Sequence, residues 1–199
     1  PMTFFKDGNC PKVIQDILQA QSRDKLTSFS GQFSPLKYLF EENGNTLVKT
    51  DGELSENALN GHSWLVEIYR QVETCMEKAR KDYVDKFSLS EVLASFIKEP
   101  YGMFTSALNC AAIAYALRHY KSELFQTQTS QPVSDEALAG MLQDLFKMWK
   151  DGKSEHSNKM LLRFGSKEEK ELAILLFDTF DLAKILHIKS SEVKSLDNA

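Results

Sequence analysis

The chain has 199 residues, of which 42% are hydrophobic and 26% are charged, close to the averages for soluble globular proteins. These figures predict one domain, or a domain with a smaller appendage, and exclude a disordered chain, a collagen-like fibre and a disulfide scaffold. The net charge of −4 argues against a surface built entirely for nucleic acid and leaves room for a local basic patch. Five prolines and nine glycines are too few for an all-β sandwich.

The three cysteines, Cys10, Cys75 and Cys110, are widely spaced and odd in number, so neither a disulfide framework nor a CxxC site is expected. Free thiols without a signal peptide predict a cytoplasmic protein. The longest apolar stretch, 107–117, is too short to span a bilayer. The proline before the first methionine is typical of tag cleavage, so the chain is expected either to begin at a natural start or to be cut from a larger protein.

Residues 1–62 are predicted to form short helices and an acidic link that pack on the rest of the chain. Pro11 opens the first helix, because proline is favoured in the first helical turn. A second helix is expected from Pro35 to Glu42, where Asn43-Gly44 ends it. Residues 45–50 should be irregular or weakly extended, and the 41–60 region carries five acids against one lysine, which is typical of a solvated loop.

Residues 63–189 are predicted to form the helical core. Apolar residues recur at spacings of three and four from 63 to 85, which indicates a long amphipathic helix. Ser88 and Glu91 have the spacing of a capping box that should open a helix ending before Pro100. The most apolar helix, 103–121, carries alanines that let neighbouring helices approach closely, which predicts a central position.

The remaining elements alternate between strand and helix. Residues 123–128 and 159–164 are predicted strands, Ser134-Asp135 caps a helix between them, and Ser166 and Glu169 form a second capping box. The tail, 190–199, is expected to be frayed. We therefore predict a mainly α fold, a multi-helix bundle with a winged-helix-like C-terminal half carrying a small β-hairpin, with roughly 55–65% helix.

Pro100, Tyr101 and Gly102 form the most distinctive tripeptide. We interpret it as a structural turn that joins two buried helices with almost no loop, where proline ends one helix, glycine supplies backbone freedom and the tyrosine ring packs over the junction. The alternative is an anion site at the start of the following helix. As a structural turn, it should make Gly102→Val more costly for stability than Gly152→Val.

Motifs for catalysis, metal binding and nucleotide binding are weak or missing in the sequence. Gly152-Lys153-Ser154 fails as a P-loop, since Lys147 stands where the first glycine is required and no strand precedes it. The histidines lack the spacing of a helical metal site, and His119 is interpreted as a residue that complements the dipole at the end of the central helix. No cofactor and no metal are expected, and no catalytic residue is assigned.

A local surplus of positive charge lies at 147–167 in a chain that is negative overall. One interpretation is a solvated loop whose charge is balanced by acids elsewhere. The other is a basic wing that contacts phosphates of duplex DNA, weakly and without strong sequence preference. The candidate phosphate-contacting residues are Lys150, Lys153, Lys159 and Arg163.

About half of the chain, from Phe87 to Phe180, resembles a helical segment of large P-loop ATPases of bacterial anti-phage defence, of the BREX type and its relatives. The resemblance is carried by residues 88–97, by Glu99-Pro100-Tyr101-Gly102-Met103, by the apolar helix as far as Tyr120, and by residues 162–169. In that family a PYG turn precedes a helical, winged-helix-like region after the ATPase core. The present sequence lacks the ATPase motifs, so the resemblance implies an excised accessory domain and transfers no catalytic residue.

Three functional hypotheses follow from these observations. The first is a non-enzymatic helical module of a larger defence or DNA-processing ATPase-type protein, which contacts other domains, a partner protein or DNA. The second is a stand-alone adaptor that binds only protein through its acidic 41–60 region. The third is a small enzyme whose site is assembled across the fold and would show as a polar cleft with carboxylates of shifted pKa.

Overall fold

The computed structural model describes residues 10–83, 85–127, 132–151, 160–166, 168–169 and 171–172. Over these residues the fold is mainly helical with small antiparallel sheets, which confirms the predicted fold class. None of the described helices is long and apolar enough to cross a membrane.

The N-terminal part begins with two helices, α1 (Cys10–Leu18) and α2 (Arg23–Thr27), followed by a 3-10 helix (Gly31–Phe40). The helix expected at Pro35 is therefore present, but it starts earlier, has 3-10 geometry and ends two residues sooner. Its Leu36 and Phe40 are fully buried while Tyr38 is exposed. Tyr38 therefore places an aromatic ring on the surface between two buried residues of this segment.

The link expected at 45–50 to be irregular or weakly extended begins with the second strand of a β-hairpin. Strand β1 (Glu41–Glu42) pairs antiparallel with β2 (Asn45–Thr46). At the turn between them Asn43 and Gly44 have φ values of +51° and +79°, the positive values that favour Asn-Gly in two-residue hairpins. The segment after the hairpin is also not a solvated loop, because Val48 and Leu54 bridge to each other and are buried.

Helix α3 (Glu56–Leu59) precedes the long helix α4 (Trp64–Asp82), which confirms the helix predicted at 63–85. The capping box predicted at Ser88 is wrong. Ser88 lies in strand β3 (Phe87–Ser88), and its hydroxyl bonds to that of Ser90 at 2.7 Å. The expected long helix is instead a short α5 (Leu89–Val92) followed by a 3-10 helix (Ala94–Ile97), and the backbone leaves helical geometry between them at Leu93, with φ −93° and ψ 7°.

Helix α6 (Ala107–Leu117) lies at the centre of the molecule, as predicted, although it is shorter than 103–121. Ten of its eleven residues are buried, so it has no polar face. Helices α1, α4 and α7 (Asp135–Lys150) all pack against it, and α1 also packs against α7. This arrangement makes α6 the common core of the N-terminal and C-terminal helices.

The two predicted strands are present as β4 (Leu124–Gln126) and β5 (Leu161–Phe164), and they pair antiparallel. β3 adds a third strand that the sequence did not suggest, and the order across the sheet is β3-β5-β4. Helix α7 lies in the connection between β4 and β5. The connection between β4 and β5 therefore contains a helix and is not a short turn.

The Pro100-Tyr101-Gly102 turn lies in a nine-residue loop, 98–106, between the 3-10 helix and α6. The expectation of almost no loop is wrong, since the helix cap is Ser106, which accepts a hydrogen bond from the Asn109 backbone N–H at 3.2 Å. The expected packing of the Tyr101 ring is present, with its centroid 5.1 Å from that of Phe96. Gly102 has a φ of +51°, a backbone conformation that glycine adopts more readily than residues with a side chain. Gly152 lies outside the described residues.

We predict that Gly102→Ala lowers the free energy of unfolding by about 1 kcal/mol, because an L side chain disfavours the left-handed backbone. Gly140→Ala in α7 is the matched control. Neither added Cβ meets an atom within 4 Å, and alanine at the helical position should stabilise by up to about 1 kcal/mol. Urea denaturation of both variants checks this. Equal midpoints would contradict a conformational role for Gly102.

Candidate functional site

The structure describes only part of the predicted phosphate-contacting set. Lys150 is the exposed last residue of α7, and Arg163 lies in β5. Lys153 and Lys159 lie outside the described residues, as does the whole Gly152-Lys153-Ser154 motif. A single basic surface made by all four side chains therefore stays a prediction.

Arg163 is paired within the chain. Its guanidinium donates two hydrogen bonds of 2.6 Å to the Glu169 carboxylate and lies 5.0 Å from the centroid of the Phe125 ring. Glu169 also accepts from the Ser166 backbone N–H at 3.0 Å, and Ser166 Oγ accepts from the Glu169 N–H at 3.2 Å. This reciprocal pair confirms the second capping box. Much of the charge that Arg163 would offer to a phosphate is thus compensated by Glu169.

We predict that Glu169→Gln lowers the free energy of unfolding at pH 7 by about 1 kcal/mol, the range of a well-formed bidentate surface pair. The hydrogen bonds from Arg163 and Ser166 hold the pKa of Glu169 at about 2, below its ordinary 4.5. Because the folded pKa is depressed, this stabilisation is present above about pH 4.5 and is lost as the pH falls toward 2. Urea denaturation of wild type and variant between pH 7 and pH 3 should show the difference narrowing. A constant difference would show that the charge of Glu169 is not what stabilises the fold.

A buried polar cluster joins the end of α6 to two N-terminal loops. The Arg118 side chain is only 6% exposed and donates to the carbonyls of Ala20, at 2.8 Å, and Gly52. It also donates to Glu53 Oε1 at 3.0 Å, and the Tyr115 hydroxyl donates to the Gly52 carbonyl at 2.9 Å. One guanidinium therefore satisfies acceptors from two separate segments of the chain.

His119 completes this cluster. Its Nδ1 lies 2.9 Å from Glu53 Oε2, and its ring packs edge-on against Tyr69 and Tyr115. His119 is expected from the sequence to complement the dipole at the end of α6, but its main contact is a different one. Arg118 is the C-cap residue of α6, and the His119 ring pairs with Glu53. The sequence could not reveal this pairing, since the two residues are far apart in the chain.

The electrostatics of the cluster follow from its burial and its charges. Burial by itself raises the pKa of Glu53, but the hydrogen bond to His119 and the charges of His119 and Arg118 outweigh it, so the pKa is below its ordinary value. Burial raises the pKa of Tyr69 to about 12. His119 Nε2 is covered and has no hydrogen-bond partner among the described residues. A general base must reach the proton that it abstracts, so this arrangement serves structure better than proton transfer.

We predict that Arg118→Met lowers the free energy of unfolding by about 3 kcal/mol, because it removes the donor of the buried Ala20 carbonyl and one of the two partners of the Gly52 carbonyl and of the Glu53 carboxylate. Arg23→Met is the control, since the Arg23 side chain makes no hydrogen bond or ion pair with any residue that the structure describes. Thermal and urea unfolding of the two variants measure the difference. If Arg118→Met lowered the free energy of unfolding by less than Arg23→Met does, the cluster would contribute little to stability.

A groove with mainly apolar walls and a volume of about 460 Å³ lies in the N-terminal region. Its walls come from the 3-10 helix, the β1–β2 hairpin, the start of α4 and one residue of α6. The lining residues are Pro35, Tyr38, Leu39, Glu41, Glu42, Leu47, Ser63, Trp64, Leu65 and Leu108. The groove thus combines segments from four parts of the chain.

Two aromatic rings at the groove remain exposed. Tyr38 is 65% exposed and Trp64 is 41% exposed. Trp64 is the first residue of α4, where Ser63 caps the helix by accepting from the Val66 N–H at 3.4 Å. Sequence reasoning missed both residues, although a signal existed, because Trp64 does not belong to the apolar stripe that α4 buries.

No group of three or more His, Cys, Asp or Glu side chains suited to a metal ion occurs in the described part of the chain. Comparisons with family models, with curated proteins and with solved structures gave no match.

Proposed function

We propose that this chain is a non-enzymatic helical interaction module of a larger defence or DNA-processing ATPase-type protein of the bacterial cytoplasm, and that its apolar groove binds another polypeptide. The observation that carries the proposal is the pair of exposed rings, Tyr38 and Trp64, beside one apolar groove. The wider context, an ATPase-type parent protein, is supported only by the resemblance of residues 87–180.

Exposed tryptophan and tyrosine at one concave surface are typical of protein interfaces, where these residues supply much of the binding energy. A partner that covered the exposed parts of both rings would bury about 200 Å² of their surface. That burial is worth about 5 kcal/mol before the costs of association are subtracted. The groove is also lined by Leu39, Leu47 and Leu65. A partner side chain inserted beside them would also be removed from water.

Polypeptide is favoured over duplex DNA by the surroundings of the basic residues. Arg163 is paired with Glu169, and α6 is buried on all sides, so this helix has no face to place in a DNA groove. Weak contact with DNA through Lys150, Lys153, Lys159 and Arg163 remains the second partner hypothesis, supported only by the local charge surplus.

The test compares partner binding by three forms of the chain: wild type, the groove variant Tyr38→Ser/Trp64→Ser, and Phe104→Ser. Phe104 is a matched control because it is an aromatic residue, 69% exposed, that does not line the groove. Proteins captured by wild type from a bacterial lysate are identified, purified and titrated against each form. We expect the groove variant to weaken binding at least about tenfold and the control to leave it unchanged.

Two results would contradict the proposal. Equal binding by all three forms would show that the groove is not the interface. Saturable, salt-dependent binding of a DNA duplex, abolished when Lys150, Lys153, Lys159 and Arg163 are changed to Glu and unaffected by the groove variant, would favour the DNA hypothesis instead.

A further inference from the structure

The groove also carries charge, and this charge indicates the chemistry of its occupant. We infer that the groove binds an amphipathic polypeptide segment that carries lysine or arginine beside its apolar residues. This inference rests on the proposed function and specifies the partner.

Glu41 and Glu42 are the charged residues of the groove lining. Neither side chain makes an ion pair or a hydrogen bond with a described residue, and Glu42 is exposed. The neighbouring acids differ, since Asp51 pairs with Lys49 and Glu53 pairs with Arg118 and His119. The hairpin therefore brings to an apolar groove two negative charges that no described residue pairs with.

An occupant that covers the groove removes water from these carboxylates. Desolvating a carboxylate without a partner of opposite charge is costly, so a neutral or acidic segment would bind against this penalty. A lysine or arginine in the segment compensates the charge and gives charge-assisted hydrogen bonds. Like charges across an interface also reject the wrong partner.

The Lys37 Nζ lies 4.9 Å from the centroid of the Tyr38 ring, so the cation–π interaction of this ring is already made within the chain. The two carboxylates are therefore the groups that favour a basic occupant. No lysine or arginine belongs to the groove lining itself among the described residues. The apolar floor with two carboxylates and an aromatic ring therefore matches a segment in which apolar and basic residues alternate along one face.

The experiment uses the fluorescence of Trp64 as the reporter. The chain has two tryptophans, so the Trp149→Phe variant of the full chain leaves Trp64 as the single emitter, and circular dichroism checks that it folds. Three synthetic peptides without tryptophan, each about 14 residues long so that they can form helices, are titrated. One contains leucine and lysine, the second leucine and glutamate, and the third serine and lysine.

We expect the leucine–lysine peptide to shift Trp64 emission to shorter wavelength in a saturable way and to bind at least about tenfold more tightly than the leucine–glutamate peptide. The serine–lysine peptide should give no saturable shift, because it has no apolar side chains for the floor. Glu41→Gln/Glu42→Gln should remove most of the preference for lysine over glutamate. Glu73→Gln/Glu136→Gln, which changes two exposed carboxylates outside the groove, should keep it. Titration calorimetry on wild type repeats the measurement without the Trp149 substitution.

The outcomes test the basic character of the partner separately from the groove as a polypeptide site. Equal binding of the leucine–lysine and leucine–glutamate peptides would overturn the basic partner and leave the groove as a polypeptide site. A preference for lysine that survives Glu41→Gln/Glu42→Gln would also overturn it. If no peptide shifts Trp64 emission, or if Tyr38→Ser leaves every affinity unchanged, the proposed function fails with it.

Discussion

The fold depends on a buried guanidinium at the end of its central helix. Arg118 follows the last residue of α6 and donates to carbonyl groups that belong to the loop after α1 and to the loop after the hairpin. Those carbonyls are buried, and a buried acceptor without a donor costs as much as a lost hydrogen bond. The residue thus joins two irregular segments, the loop after α1 and the loop after the β1–β2 hairpin, to a rigid helix.

The groove lies beside the central helix. Ten of the eleven residues of α6 are buried, and Leu108 is the residue of this helix that lines the groove, so the rest of the lining comes from the 3-10 helix, the hairpin region and the start of α4. The 3-10 helix and the hairpin bury Leu36 and Phe40 and leave Tyr38 outside, and α4 begins with Trp64 next to them. The proximity of these two exposed rings is the feature on which the proposed polypeptide binding rests.

Much of the helical core could be predicted because its signals are local. The apolar period of α4, the composition of α6 and the serine that caps α7 each lie within a few residues of the element that they specify. The two capping-box patterns show the limit of such signals. The pattern at Ser166 forms, whereas at Ser88 the hydroxyl bonds to that of Ser90 and the backbone pairs with Leu161 in β5. A sequence window around Ser88 contains no trace of that distant strand.

The candidate sites were beyond sequence reasoning for the same reason. The groove combines residues from four separate segments, and the partners of Arg118 lie in two loops far from it in the chain. The Asn43-Gly44 hairpin is a different case, since Asn-Gly between extended residues is a strong turn signal. The acidic composition around it favoured a solvated loop and concealed the buried Leu47 and Val48.

The strand order β3-β5-β4 has a consequence for synthesis on the ribosome. The middle strand of the sheet is the last of the three to be made, so β3 and β4 both emerge before the strand that pairs with them, although Phe125 of β4 also bridges to Pro132. Both strands expose unpaired backbone groups until β5 inserts between them, and unpaired edges are sites where chains associate wrongly. Strand β5, residues 161–164, therefore completes the sheet of the C-terminal half. A nascent chain that stalls before β5 is made would be a natural substrate for chaperones.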